Sequence, residues 1–235
     1  MKKLMVTSLI CISVVLTACS AQPQTETAAE TVPAQVNGNC LFEDLQSGKT
    51  ICFIGDSITD EAATDGIPWY QPLEAFITGE VINVSLSGWT SVSLVEAVDV
   101  YPQADVYVTA IGINDVLYID EAYGAVDAEE FVDNLEAFQE KIDSVSPDST
   151  LYFIAPWPFL NYPDEAYETR DGFVEALIEW CRSDDRRICI DPNDTIMSVL
   201  EDVDTSVYMW NDFHPDEPEG VGLYSYAVIQ QDSVR

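Results

Sequence analysis

The chain has 235 residues, and 47% of them are hydrophobic. Its charge is strongly negative, because 42 Asp and Glu residues stand against only 9 Lys and Arg, which gives a formal net charge of −33. A surface of this sign repels phosphate and argues against nucleic acid as a partner. One histidine cannot form a zinc site built on several histidines, and no segment has the Asp-x-Asp-x-Asp-Gly pattern of a calcium loop, so we expect no metal and no other cofactor.

The N-terminal segment has the features of an export signal. Lys2 and Lys3 precede an apolar stretch, Leu4 to Leu16, that is too short to cross a bilayer as a helix. The stretch ends in Leu-Thr-Ala-Cys19, which resembles a bacterial lipobox. Residues 1–19 are therefore predicted to be a lipoprotein signal peptide, with the mature protein held on the outer side of the cell membrane by a lipid on Cys19. The alternative is an ordinary cleaved signal that releases a soluble protein.

The next segment, residues 20–39, is rich in Gln, Thr, Ala and Glu. Its only large aliphatic residues are Val32 and Val36, which are too few to bury a core, so we interpret it as a flexible linker. Residues 40–235 are long enough for one domain with a substantial core and short for two.

Short apolar runs bounded by turn residues are typical of strands buried on both faces. Continuous rather than alternating apolarity favours parallel strands. A fifth run alternates polar and apolar residues and is expected nearer an edge of the sheet. The four continuous runs are Ile51 to Ile54, Val106 to Ile111, Leu151 to Ala155 and Ile188 to Ile190, and the alternating run is Val81 to Leu86.

Helical patterns lie between these runs. The clearest follows Asp127, which can form a capping box with Glu130, and a second carries an apolar stripe from Phe173 to Cys181. The alternation predicts an α/β protein with right-handed crossovers, helices on both faces of one parallel sheet, and an active site at the carboxyl ends of the strands. Shorter helices are predicted at Trp69 to Ile77, Val92 to Val100, Thr195 to Leu200 and Leu223 to Gln231.

Four polar blocks carry the candidate chemistry. Ser57 lies in Phe-Ile-Gly-Asp-Ser-Ile-Thr-Asp after the first strand, Gly88 ends the second strand region, and Asn114 follows the third strand in Gly-Ile-Asn-Asp. The lone histidine, His214, lies in Asn-Asp-Phe-His-Pro. A serine hydroxyl needs a base to become a nucleophile, and the oxyanion it creates needs fixed donors. His214 is the one imidazole that can serve as this base.

The order of these blocks resembles the SGNH subgroup of the GDSL-type hydrolases, from about Thr50 to Gln231. The resemblance implies a three-layer α/β/α sandwich with a parallel, flavodoxin-like sheet. It also implies that Ser57 is the nucleophile, that His214 is the base, and that the N–H groups of Ser57 and Gly88 with the side chain of Asn114 form the oxyanion hole. The Gly-x-Ser-x-Gly elbow of the α/β-hydrolases is absent around Ser57.

One position departs from that family. The family has an aspartate three residues before the histidine, where this chain has Asn211, and Asp212 lies two residues before it. In serine proteases, asparagine in place of the orienting aspartate lowers kcat by about 10⁴. A helical or 3₁₀ turn would bring Asn211 to His214, an extended segment would bring Asp212, and a backbone carbonyl could instead orient His214 in a Ser-His dyad. We favour an active enzyme with Asp212 or a dyad over an inactive protein, because all the residues that the resemblance assigns to the oxyanion hole are present.

Four cysteines lie beyond the lipobox, and an even number in an exported chain permits two disulfides. Close spacing favours Cys40 with Cys52 and Cys181 with Cys189. Because Cys52 and Cys189 lie inside apolar runs, free buried thiols are the alternative.

Aromatic residues beside the four blocks can stack on a sugar ring, line an acyl pocket, or simply anchor loops by packing. The loop from Trp157 to Thr169 is long enough to cover a substrate. We therefore predict an extracytoplasmic serine ester hydrolase acting on short acyl esters, such as acetyl groups on carbohydrates, or on lipid esters. The alternatives are a non-catalytic glycan-binding surface lipoprotein and an O-acyltransferase. The aromatic residues concerned are Trp69, Tyr70, Trp89, Trp157 and Trp210.

Overall fold

The computed structural model describes residues 38–60, 67–118, 127–231 and 233. The predicted signal peptide, the lipidation site at Cys19 and the predicted linker up to residue 37 lie outside these residues. Within them, no helix has both the length and the apolar character that a membrane crossing requires.

Within the described residues, five parallel strands form one sheet in the order β2-β1-β3-β4-β5. This is the predicted flavodoxin-like arrangement, and it confirms the α/β class. Gly55 pairs with Ser85 on one side and with Ala110 on the other, so the carboxyl ends of the first three strands lie level with one another. The strands are β1 (Ile51–Gly55), β2 (Val81–Ser85), β3 (Val106–Ala110), β4 (Thr150–Ile154) and β5 (Arg187–Ile190).

Burial explains why the runs differ in pattern. Every residue of β1 and β3 is buried, as their continuous apolar sequences require. β2 lies at an edge of the sheet, and its residues are exposed or only partly buried, which permits the alternation seen in its sequence. The prediction that this run lies at an edge is confirmed.

The part of the chain that the structure describes has seven helices, and the main contacts between them form two groups. In one group α4 packs against α2 and α5, while in the other α7 packs against α6 and a 3₁₀ turn at Gln71–Leu73. Because the chain reverses its direction across the sheet after β2, right-handed crossovers put the two groups on opposite faces, which gives the three layers. The helices are α1 (Cys40–Leu45), α2 (Ser91–Glu96), α3 (Ile113–Leu117), α4 (Ala128–Asp143), α5 (Asp164–Cys181), α6 (Asn193–Leu200) and α7 (Glu219–Gln230).

The predicted helices are confirmed with altered ends, except one. The Asp127 side chain caps α4 by accepting from the N–H groups of Glu129 and Glu130. The helix predicted over Trp69 to Ile77 is only the 3₁₀ turn, whose second residue, Pro72, has no N–H to donate. α5 begins at Asp164, so it includes the end of the segment predicted as a covering loop.

The N-terminal edge of the described fold is fixed to its C-terminal helix. Asn39, the last residue of the predicted linker, caps α1 by accepting from the Phe42 N–H at 3.2 Å. Its side-chain amide also donates to the carbonyls of Val228 and Gln231, at 2.7 and 3.0 Å. Asn39 is therefore held by the folded core.

The four cysteines are free thiols, so the favoured disulfides are not formed. Cys40 is partly buried, with its Sγ 3.2 Å from the Ser233 hydroxyl oxygen, while Cys52 is enclosed in β1. Cys181 and Cys189 are buried side by side, and the hydrogen bond between their thiols, together with burial, raises the pKa of Cys189. Three of the four are thus buried thiols, as the alternative interpretation expected.

Candidate active site

The structure brings Ser57 and His214 together at the carboxyl edge of the sheet. The Ser57 Oγ lies 2.7 Å from the His214 Nε2, and both side chains are nearly buried, with exposed fractions of 6% and 9%. The loop carrying His214 is folded back by a hydrogen bond from the Trp210 N–H to the His214 carbonyl, at 2.9 Å. The two residues that the sequence singled out as nucleophile and base are therefore in direct contact.

A tight turn after β1 presents Ser57. The Asp56 carbonyl accepts from the N–H groups of Thr59 and Asp60, and its Oδ1 accepts from the Ile58 N–H at 3.1 Å. Within the described part of the chain, the Asp56 Oδ2 has no hydrogen-bond partner. Burial raises the pKa of this carboxyl to about 7, against the lowering effect of the Ile58 N–H, and the nearby charge of Asp115 raises it further.

The loop after β2 is tied to this turn. The Leu86 N–H donates to the Gly55 carbonyl at 3.2 Å, which continues the strand pairing. The Asp60 carboxylate then accepts from both the backbone N–H and the hydroxyl of Ser87, each at 2.8 Å. These bonds hold Gly88 against the loop of Ser57.

Two backbone donors are available at this point. Gly88 has φ +84°, a left-handed conformation that glycine adopts without steric cost. Among the residues that the structure describes, the N–H groups of Ser57 and Gly88 have no acceptor. Both can therefore donate to a substrate oxygen.

The third loop contributes Asn114, in the first turn of the short helix α3. Its Nδ2 donates to the Trp89 carbonyl at 2.8 Å, and the second hydrogen of that amide remains for a substrate. The next residue, Asp115, is buried and accepts from the N–H and the hydroxyl of Ser91 at 3.0 and 2.7 Å. Burial raises the pKa of Asp115 to about 6, although the Ser91 bonds oppose the shift.

Asp60 and Asp115 thus hold the loops that carry Gly88 and Asn114, and the sequence predicted a role for neither of them. In the Gly-Ile-Asn-Asp motif, the resemblance assigned a role only to the asparagine. The available signal was a carboxylate five residues after the end of an apolar strand, which must find donors if the fold buries it.

The preference for Asp212 as the residue beside His214 is wrong. The Asn211 Nδ2 lies 2.9 Å from the His214 Nδ1, whereas the Asp212 carboxylate accepts from the Asn161 side chain at 2.8 Å. The Asp212 carbonyl also accepts from the Leu160 N–H at 2.7 Å, so Asp212 links the loop after β4 to the histidine loop. The physical reason is that residues 211–214 form a turn, in which residues three apart share a face.

The Asn211 side chain itself closes that turn. Its Oδ1 accepts from the N–H groups of Phe213 and His214, at 3.0 and 2.8 Å. The Phe213 ring lies 4.3 Å from the imidazole between ring centroids, and the Trp210 ring lies 5.6 Å away. Burial lowers the pKa of His214 to about 4, so the imidazole is neutral at pH 7.

The aromatic residues fall into three groups by burial. Trp69, Tyr70 and Trp157 are buried, and Trp69 packs against Trp157 at 5.6 Å between ring centroids, so they anchor the core beneath the loops. Trp89 is partly buried. Trp210 is 65% exposed beside His214 and remains available for contact with a substrate. No cluster of His, Cys, Asp or Glu suited to a metal ion occurs among the described residues.

Comparisons with known proteins agree with this geometry. The model of the GDSL-like lipase/acylhydrolase family matches residues 53–218. A structure described as a GDSL-like lipase from Parabacteroides merdae is 19% identical with a TM-score of 0.66, over 78% of this chain and 94% of that one. An acetylxylan esterase from Geobacillus stearothermophilus is 20% identical with a TM-score of 0.63, over 78% and 93%. No curated protein sequence matches the chain.

Proposed function

We propose a substrate and a mechanism for this chain, which belongs to the GDSL-like lipase/acylhydrolase family and is an ester-hydrolysing enzyme. It cleaves short acyl esters of carbohydrates through a serine acyl-enzyme. The observation that carries the mechanism is the 2.7 Å contact between the Ser57 Oγ and the His214 Nε2. The N–H groups of Ser57 and Gly88 and the amide of Asn114 stand at the ends of the three strands that finish level with one another.

The steps follow from these positions. The Ser57 Oγ attacks the ester carbonyl carbon while His214 accepts its proton, and the resulting oxyanion accepts hydrogen bonds from Ser57, Gly88 and Asn114. His214 then gives the proton to the departing alcohol oxygen, which leaves an acyl group on Ser57. In the second half, His214 takes a proton from water as the water attacks the acyl carbon, and returns it to the Ser57 Oγ when the acid leaves.

Two observations support a carbohydrate ester. The exposed Trp210 ring lies directly beside His214, where it can stack on a sugar whose acyl group reaches Ser57. The relative from Geobacillus stearothermophilus is described as an acetylxylan esterase and as an acetyl-xylooligosaccharide esterase.

Variants of that esterase support the assignment of residues. Its structures include catalytic mutants in which a serine, a histidine, or an aspartate three positions before the histidine is replaced by alanine. A further structure replaces a tryptophan directly before the aspartate. The same order and spacing here is Trp210, Asn211 and His214, which puts Asn211 in the aspartate position.

Hydrolysis of p-nitrophenyl acetate tests the mechanism. We expect Ser57→Ala and His214→Ala each to abolish turnover, and a fluorophosphonate to label the parent on Ser57 but not the His214→Ala variant. A Ser57→Ala variant as active as the parent would refute the proposal. In parallel, a series of p-nitrophenyl esters of increasing acyl length should show the fastest hydrolysis for acetate.

The carbohydrate part of the proposal has its own test. We expect Trp210→Ala to raise KM for an acetylated xylo-oligosaccharide by about tenfold, which corresponds to about 1.4 kcal/mol, a typical worth of one stacking contact. KM for p-nitrophenyl acetate should change less, and Trp210→Phe should retain most of the affinity for the oligosaccharide. Equal effects on both substrates would argue against sugar stacking.

We also propose that the enzyme works outside the cytoplasm on a lipid anchor at Cys19. The support is the sequence of residues 1–19, with its basic start, short apolar stretch and lipobox-like end. Cell fractionation of the parent and of Cys19→Ala tests it. The parent should be found with the membrane, and the variant should leave it; an equal distribution of the two would overturn the anchor.

A further inference from the structure

We propose that Asn211 fixes the proton of His214 on Nε2, so that the resting Ser57–His214 hydrogen bond runs from the histidine to the serine. This inference rests on the proposed function, in which the same bond must run the other way for catalysis. Asn211 is thereby a positioning residue that limits the enzyme's rate by favouring the unreactive tautomer.

The first step is the orientation of the Asn211 amide. Its Oδ1 accepts from two backbone N–H groups, those of Phe213 and His214. Turning the amide by 180° would set its NH₂ group against these two donors and lose both bonds. The network therefore places the NH₂ group, and not the oxygen, toward the His214 Nδ1.

The second step is the protonation of the ring. An amide NH₂ group can only donate, so the His214 Nδ1, at 2.9 Å, must be the nitrogen that carries a lone pair. The imidazole is neutral, since burial lowers its pKa to about 4, and a neutral ring has one proton. That proton is consequently on Nε2, which donates it to the Ser57 Oγ at 2.7 Å.

Among the residues that the structure describes, no carboxylate is hydrogen-bonded to the His214 ring and able to reverse this preference. Asp212 is bonded to Asn161, and Asp56, on the serine loop, is bonded to the Ile58 N–H. The rings of Phe213 and Trp210, which lie against the imidazole, carry no charge, and Asp216 on the same loop accepts from the Glu217 N–H.

Catalysis then requires an exchange before Ser57 can lose its proton. Nε2 must release its proton to water and Nδ1 must take one from water, so the net charge of the ring is unchanged, while the Asn211 amide turns to accept from Nδ1. The working tautomer is a minor population, and the observed rate is reduced by its fraction.

Asn211→Asp should remove the preference for a proton on the His214 Nε2 while keeping the turn at residues 211–214. One carboxylate oxygen can keep the bonds to the Phe213 and His214 N–H groups, and the other accepts a proton-bearing Nδ1, which leaves Nε2 free to act as base. We expect kcat/KM for p-nitrophenyl acetate to rise by about 10²- to 10⁴-fold, by analogy with the serine proteases. The pH of half-maximal activity should also rise from the acidic region toward neutrality, because the carboxylate favours the imidazolium.

The single histidine permits a direct measurement. In protein labelled with ¹⁵N-histidine and purified without a histidine tag, the nitrogen chemical shifts and ring-proton couplings report which nitrogen is protonated. At pH 7 we expect the proton on Nε2 in the parent and on Nδ1 in Asn211→Asp. The matched control is Asp212→Asn, which alters the neighbouring side chain and should leave both the spectrum and the pH profile as in the parent.

Each outcome decides the question. A proton on Nδ1 in the parent overturns the inference, as does an Asn211→Asp variant that gains the Nδ1 proton without gaining rate. Should Asn211→Asp not fold, the parent spectrum alone decides the tautomer, and Asn211→Ala, which lacks the donor, should shift protons from Nε2 toward Nδ1. Failure of the proposed function is a separate result, because it would appear as turnover that survives Ser57→Ala, whatever the spectrum shows.

Discussion

The serine side and the histidine side of the site are built from different chemistry. On the serine side, buried or partly buried carboxylates join the loops, as Asp60 accepts from Ser87 and Asp115 accepts from Ser91. On the histidine side, the neutral amide of Asn211 closes the turn and contacts the ring, and two aromatic rings cover it.

An acyl hydrolase requires donors for the oxyanion and a base for the serine. This difference shows that the interactions that hold the donors and those that hold the base can vary independently. The loops that carry the proposed oxyanion donors are held by charge-assisted hydrogen bonds, which are stronger than neutral ones. Among the described residues, the proposed base, His214, has no carboxylate partner, and it keeps the lowered pKa that burial gives it. Burial acts alike on both sides, since it favours the neutral form of Asp56, Asp115 and His214.

The largest effect on the serine side is expected from Asn114→Ala. The variant removes one oxyanion donor, so kcat should fall by about 10²- to 10³-fold with little change in KM. Steady-state kinetics with p-nitrophenyl acetate measure this. The matched control is Asn134→Ala. Asn134 lies outside the site and donates to the Ser91 hydroxyl, two residues from the Trp89 carbonyl that Asn114 contacts. Equal losses in both variants would mean that Asn114 only anchors the loop.

The contribution of the Asp115–Ser91 hydrogen bonds to stability is tested by Asp115→Ala. The change leaves the Ser91 N–H and hydroxyl without their buried acceptor, so the free energy of unfolding should fall by about 2–3 kcal/mol. Urea unfolding at pH 7 measures it. Asp127→Ala removes an exposed helix cap instead and should cost about 1 kcal/mol. A smaller loss for Asp115→Ala than for Asp127→Ala would contradict the structural role assigned to the buried carboxylate.

Much of the fold could be predicted because its signals are local. Four of the described strands lie in continuous apolar runs, β2 lies in an alternating one, and α4 shows both a cap and a repeating apolar face. The helix predicted at Trp69 to Ile77 failed because its aromatic residues are buried for packing reasons, while Pro72 limits the segment to a 3₁₀ turn. α1 and α3 have six and five residues, too few for a periodic pattern to stand out.

The site could be predicted only where it depends on topology. Ser57, Gly88 and Asn114 follow parallel strands, whose carboxyl ends necessarily meet at one edge of the sheet. The choice between Asn211 and Asp212 depended on whether the turn was closed by a side chain. Both residue types can cap a turn in this way, so the sequence alone did not decide between them.

Burial raises the pKa of Asp56 on the serine side and lowers that of His214 on the histidine side, and the Asp56 shift can be tested by the pH dependence of stability. Because the pKa of Asp56 is raised in the folded protein, this group stabilises the fold below about pH 4 and loses that contribution as the pH rises through about 7. Between pH 5 and 8, the free energy of unfolding of Asp56→Asn should therefore fall by about 2 kcal/mol less than that of the parent. Urea unfolding at both values measures it, and an identical decline in the two proteins would exclude an elevated Asp56 pKa.

The smallest effect should come from the backbone of the serine side. Gly88 has φ +84° and open space where a Cβ would lie, so Gly88→Ala tests conformational strain alone and should lower the free energy of unfolding by about 1 kcal/mol. Gly172 also has open space but lies inside α5, where alanine favours the helix, so Gly172→Ala should raise stability by about 0.5–1 kcal/mol. Thermal unfolding of the two variants shows whether each change raises or lowers the stability. If both changes stabilise the protein, the loop at Gly88 can leave its left-handed conformation, and the serine side is less rigidly held than its carboxylate bonds imply.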